Sequence, residues 1–91
     1  MAILPATAWA SSDDAWEEFR AAVEQSCRVL IEAPSSARVA VEVNPFGSES
    51  HGAALVTVAH DQGQDRMICI YDKVAGQAEL TAPFLDAAAE K

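Results

Sequence analysis

Cys27 and Cys69 are the only cysteines of this chain, and His51 and His60 its only histidines. The cysteines form no CxxC pair, and with two distant histidines they match no zinc spacing. Cys27 falls on the apolar stripe of a helix and Cys69 within an apolar strand, which predicts buried structural thiols. A bridge between them is sterically open, because helix and sheet must pack together, but the reducing cytoplasm disfavours it. A nucleophilic cysteine needs a neighbouring base and a depressed pKa, and the sequence places neither beside it.

His51 and His60 bracket a strand. Nine residues at about 3.3 Å each set them about 30 Å apart, too far to share a metal. His60 stands beside Asp61, with Asp65 and Arg66 across a turn, and with Tyr71 it marks the one place for a small-ligand or enzymatic site. Asp61-x-Gly63-x-Asp65 has the look of a calcium-loop fragment, but without the further acids and terminal Glu of such a loop it reads as a turn. Glycine-rich phosphate loops, GxSxG elbows and HExxH helices are absent from the sequence. The expectation is a non-enzymatic protein with no cofactor and no metal.

Fourteen acidic side chains stand against six basic ones, a net charge of −8. Displacing counterions from phosphates takes clustered Lys and Arg. Here Arg20, Arg28, Arg38, Arg66 and Lys73 are dispersed among carboxylates, so direct binding to nucleic acid or to an anionic membrane is not expected. The acids do cluster at one point: Asp13, Asp14, Glu17 and Glu18 crowd a helix start. Asp13 and Asp14 suit the positive end of the helix dipole, whereas Glu17 and Glu18 exceed what a cap requires. Trp9 and Phe46 complete the interaction candidates. Trp9 lies on an arm with Ile3 and Leu4. Phe46 belongs to an Asn44-Pro45-Phe46 triplet of the kind some adaptor domains read, and is expected to tuck into the core edge.

The elements that must position these residues follow from periodicity. Ser11-Ser12-Asp13-Asp14 caps a helix, and Trp16, Phe19, Val23, Cys27 and Leu30 recur at three and four to form one apolar stripe. Pro34 predicts a stop near residue 32. From residue 37 the period is two: Val39, Val41 and Val43 oppose Arg38, Ala40 and Glu42. After turn chemistry through about Gly52, Ala53–His60 reads as a second strand with Leu55 and Thr57 on one face and Val56 and Val58 on the other. A polar loop at 61–65 leads to a third strand, Arg66–Tyr71. Gln77–Thr81 is a short fourth strand or a helical stretch. Thr81 with Pro83 starts a short C-terminal helix through Phe84, Leu85 and Ala88.

The reading is an α+β two-layer sandwich, α-β-β-β-(β)-α: an antiparallel meander of three to four strands packed by a long N-terminal helix and a short C-terminal helix. Residues 1–10 are an N-terminal arm and 11–91 a single domain. The arm lacks Lys or Arg ahead of its apolar stretch and Pro5 interrupts it, so no signal peptide is expected; no apolar run spans a bilayer, and the expected location is cytoplasmic. Small acidic units of this element order occur among secretion chaperones and phage-encoded inhibitors, a likeness of fold with no motif behind it. The strands carry more apolar surface than one helix covers. The function expected is therefore that of a protein-interaction module, a homodimer using the sheet face or the arm. The alternative is an acidic nucleic-acid mimic that inhibits a basic partner through the helix start.

Overall fold

The computed structural model describes residues 12–85; the arm, with Ile3, Leu4 and Trp9, lies outside them. Helix α1 spans Asp13–Arg28, followed by strands β1 (Arg38–Val43), β2 (His51–His60), β3 (Gly63–Asp72) and β4 (Gln77–Leu80). Ser12 is the N-cap, its Oγ accepting the Ala15 amide at 3.0 Å. The strands form one antiparallel sheet in the order β1-β2-β3-β4. Helix α1 touches all four of them, so the fold is a small α+β one.

The helix ends at Arg28, four residues before the stop near residue 32 that Pro34 predicts. Leu30 and Ile31 donate to the carbonyls of Cys27 (3.0 Å) and Arg28 (3.2 Å), tightening the last turn. That turn drops Ile31 onto the core and leaves Leu30 at the surface. Val29-Leu30-Ile31 includes two β-branched residues that lose rotamer freedom in a helix, so little is forfeited by stopping there.

Strands β2 and β3 both begin before their apolar runs. Asp61 and Gln62 make a two-residue turn, and Gly63 (φ +135°) lets the ladder close at His60↔Gly63. Backbone pairing then continues past Gln64 and Asp65, because ladder hydrogen bonds do not depend on the side chain. At the other end His51 pairs with Asp72, and Gly52 sits under the helix. A Cβ there would come 2.8 Å from Phe19 Cζ and 2.9 Å from Val23 Cγ2, which is why only glycine fits.

The short C-terminal helix expected from Thr81 is not formed over 81–85, and residues 86–91 lie outside the described chain. Beyond Leu80, β3 would present unpaired groups at Ile68 and Arg66. The Thr81 amide donates to the Ile68 carbonyl (2.9 Å), Thr81 Oγ1 accepts the Ile68 amide (3.0 Å), and the Phe84 amide donates to the Arg66 carbonyl (2.8 Å). Satisfying that edge outweighs a capped turn of helix.

The core is Val23, Cys27, Ala54, Val56, Val58, Met67 and Cys69, and its innermost side chains are Val23, Val56 and the two cysteines. Those cysteines are joined. Cys27–Cys69 is a disulfide with the Cα atoms 6.0 Å apart, which corrects the expectation of two reduced thiols. It fastens the last turn of α1 to the middle of the sheet, a placement that only packing could reveal. Closing a loop between residues 42 apart removes unfolded-chain entropy equivalent to about 4 kcal/mol. Reduction, or paired Cys27→Ala and Cys69→Ala substitution, should therefore lower the unfolding free energy by about 3–4 kcal/mol in urea titrations.

Candidate interaction surface

The strand period of two divides the sheet cleanly. Val39, Val41, Val43, Ala54, Val56, Val58, Met67, Cys69, Tyr71, Ala78 and Leu80 face the helix and build or flank the core. The opposite face carries Ala40, Ala53, Leu55, Thr57, Ile68 and Ile70. Leu55 lies opposite Ile68, and Ala53 opposite Ile70, on the central strand pair. No segment among the described residues covers this face. Leu55 and Ile70 remain 38% and 37% exposed even though their strands are central. Charges bound the apolar strip: Glu42 and Glu79 toward the His51–Asp72 end, Arg38 and Arg66 toward the His60–Gly63 end. None of these four forms an ion pair among the described residues.

The other sequence candidates fall elsewhere. Asp13, Asp14, Glu17 and Glu18 are exposed on the outward side of α1, without ion pairs among the described residues. Phe46 does not tuck into the core edge. It is 54% exposed and lies edge-on against Trp16, with ring centroids 4.8 Å apart. The Asn44 side chain accepts from the Phe46 and Gly47 amides, and Gly47 (φ +70°) completes the turn that holds Phe46 outward.

Beneath Phe46 is an arrangement that sequence reasoning missed. Lys73 Nζ lies 5.4 Å from the Trp16 ring centroid and 4.9 Å from that of Phe19, and donates to the carbonyls of Phe46 (3.1 Å) and Ser48 (2.7 Å). Arg20 donates to the Pro45 carbonyl at 3.0 Å and stacks over Phe46. These contacts tie the 44–50 loop to the first half of the helix. Helical spacing locates Trp16 and Phe19, but nothing local connects them with a lysine in the β3–β4 turn.

His60 Nε2 is 3.5 Å from Asp65 Oδ2, as the hairpin expectation implied. Tyr71 is remote from that pair: it lies toward the far end of β3, opposite Gly52, with its ring 6.2 Å from Phe19. The small-ligand grouping of His60, Asp61 and Tyr71 is therefore not assembled. A groove of about 490 Å³ does open beside His60, floored by Val58 and Met67 and edged by Glu32, Asp61 and Asp65. Among the described residues no cluster of three or more His, Cys, Asp or Glu side chains is placed to hold a metal, and no helix is long and apolar enough to cross a membrane. No family model, curated protein or solved structure matches this chain.

Lys73→Met should cost about 1–2 kcal/mol in unfolding free energy, through the lost carbonyl hydrogen bonds and cation–π contacts. It should also speed proteolysis within 44–50, read by mass spectrometry. Asp72 Oδ1 accepts the Val74 and Ala75 amides at 2.8 and 2.9 Å. Those bonds, Ala75 first, hold its carboxyl below the usual 3.8, and His51 adds to the effect. The turn favours the ionised form, so its contribution is full above the unfolded-chain pKa and is lost as pH falls through the lower folded value. The stability gap between the native protein and Asp72→Ala should accordingly be widest near neutrality and close in strong acid, as denaturant midpoints measured against pH will show.

Proposed function

We propose that this chain is a non-enzymatic protein-interaction module whose contact surface is the open face of the sheet. The observation that carries this reading is the row of Leu55, Ile68 and Ile70 on that face, opposite the helix. A contiguous apolar strip edged by charge is the usual composition of a protein contact. The cysteines are taken up in a disulfide and His60 is parted from Tyr71, so neither grouping lends support to an enzymatic reading. The disulfide also favours an oxidising setting over the cytoplasmic one that reduced thiols would imply.

A second reading rests on a different observation, the outward row of Asp13, Asp14, Glu17 and Glu18. Four exposed carboxylates on one helical turn and a half suit a basic partner, as a phosphate mimic would. Binding of that kind would be salt-sensitive and abolished by Glu17→Lys with Glu18→Lys.

Photo-cross-linking separates the two. A benzoylphenylalanine at position 55 should capture protein in extracts of the native host, while the same probe at position 17 should not. Capture from position 17 alone would transfer the function to the acidic helix face.

A further inference from the structure

We propose that the open sheet face is closed by the same face of a second copy, with the strands of the two copies running in opposite directions. This rests on the reading of that face as the contact surface.

The charge pattern selects both. On the open face each arginine lies toward one end of the strands and each glutamate toward the other. Arg38 is level with Ala59 and Gln64, and Arg66 with Ala40 and Thr57; Glu42 is level with Leu55 and Ile68, and Glu79 with Ala53 and Ile70. Two identical sheets stacked face to face are related by a two-fold axis lying between them. An axis along the strands would set cationic end over cationic end and anionic end over anionic end. An axis across the strands reverses one copy and sets each cationic end over the other's anionic end.

Placed between the Leu55–Ile68 row and the Thr57–Arg66 row, that axis brings Glu42 over the second copy's Ala40, one step from its Arg38. The aliphatic stem of Arg66 then lies on the second copy's Ile68, and its guanidinium points diagonally toward Glu79. Leu55, Ile68 and Ile70 of both copies are enclosed between the charged ends.

The area fits a reversible association. Each of the four rows spans three strands about 4.8 Å apart, and the rows are about 6.6 Å apart, which gives a face of about 380 Å² per copy. The total of about 760 Å² is below that of a stable specific interface and suits a weak, concentration-dependent dimer.

Sedimentation velocity on the intact, oxidised chain tests this. Wild type should pass from monomer to dimer with concentration. The double variants Arg38→Glu/Arg66→Glu and Glu42→Lys/Glu79→Lys should each self-associate at least tenfold more weakly. An equimolar mixture of the two should restore the dimer, because their ends are again complementary. Unchanged circular dichroism and thiol titration confirm that each variant folds with its bridge closed. A wild type that stays monomeric at millimolar concentration overturns the proposal, and so does undiminished dimerisation of both variants. Failure of the mixture to recover overturns the pairing of cationic with anionic ends on which the dimer rests. The cross-linking experiment at position 55 then locates any failure. Adducts with another protein leave the face as a contact surface but remove the second copy. An internal adduct to residues 1–11 assigns the face to the chain's own arm, and no adduct at all removes the contact reading as well.

Discussion

The Cys27–Cys69 bridge is the constraint around which the rest of this small structure is organised. Two of its four most deeply buried side chains are the bridged cysteines themselves, so the centre of the core is a covalent bond as much as an apolar cluster. A chain of this size buries a modest fraction of its surface, and here alanine accounts for much of the hydrophobic composition. Covalent closure between helix and sheet offsets that shortage by restricting the unfolded chain. It also sets the register of the helix on the sheet: with Cys27 fixed over Cys69, Val23 and Phe19 fall one and two turns back along β2, onto Gly52. The early helix end belongs to the same constraint, since the chain must leave the bridge and turn down toward β1.

At the opposite end of the helix the attachment is polar and aromatic. Lys73 sits between the Trp16 and Phe19 rings and two loop carbonyls, and Arg20 holds the Pro45 carbonyl. The helix is thus anchored to the sheet at both ends by unlike means, a disulfide at its last turn and a cation–π cluster at its first. Both anchors lie on the helix side. The far face of the sheet is left with an apolar strip bounded by opposite charges, and the functional reading rests on that asymmetry between the faces.

Much of this was legible in the residues. Ser12 as cap, the stripe of Phe19, Val23 and Cys27, and the alternation of Val39, Val41 and Val43 against Arg38, Ala40 and Glu42 follow from periods of 3.6 and 2. The excess of apolar strand surface could also be read, because Leu55 and Val56, or Ile68 and Cys69, are neighbours that must point opposite ways. Strand ends were less legible: Gly63–Asp65 and His51 join the ladder through backbone groups that side-chain pattern does not report. The helix expected after Thr81 fails for a related reason, since the unpaired edge of β3 competes for those residues.

By itself, then, the sequence determined the long helix and the first three strands, their order, which residues share a face, and a net charge of −8. These are properties of neighbours along the chain, governed by local sterics and hydropathy. The tertiary structure alone decided which distant groups meet: Cys27 with Cys69, Lys73 with Trp16 and Phe19, Thr81 and Phe84 with the edge of β3. It also decided that His60 and Tyr71 stay apart and that no described residue covers the Leu55–Ile70 face. Such pairings depend on strand register and on where the helix lies, and a one-residue shift in either would exchange every partner.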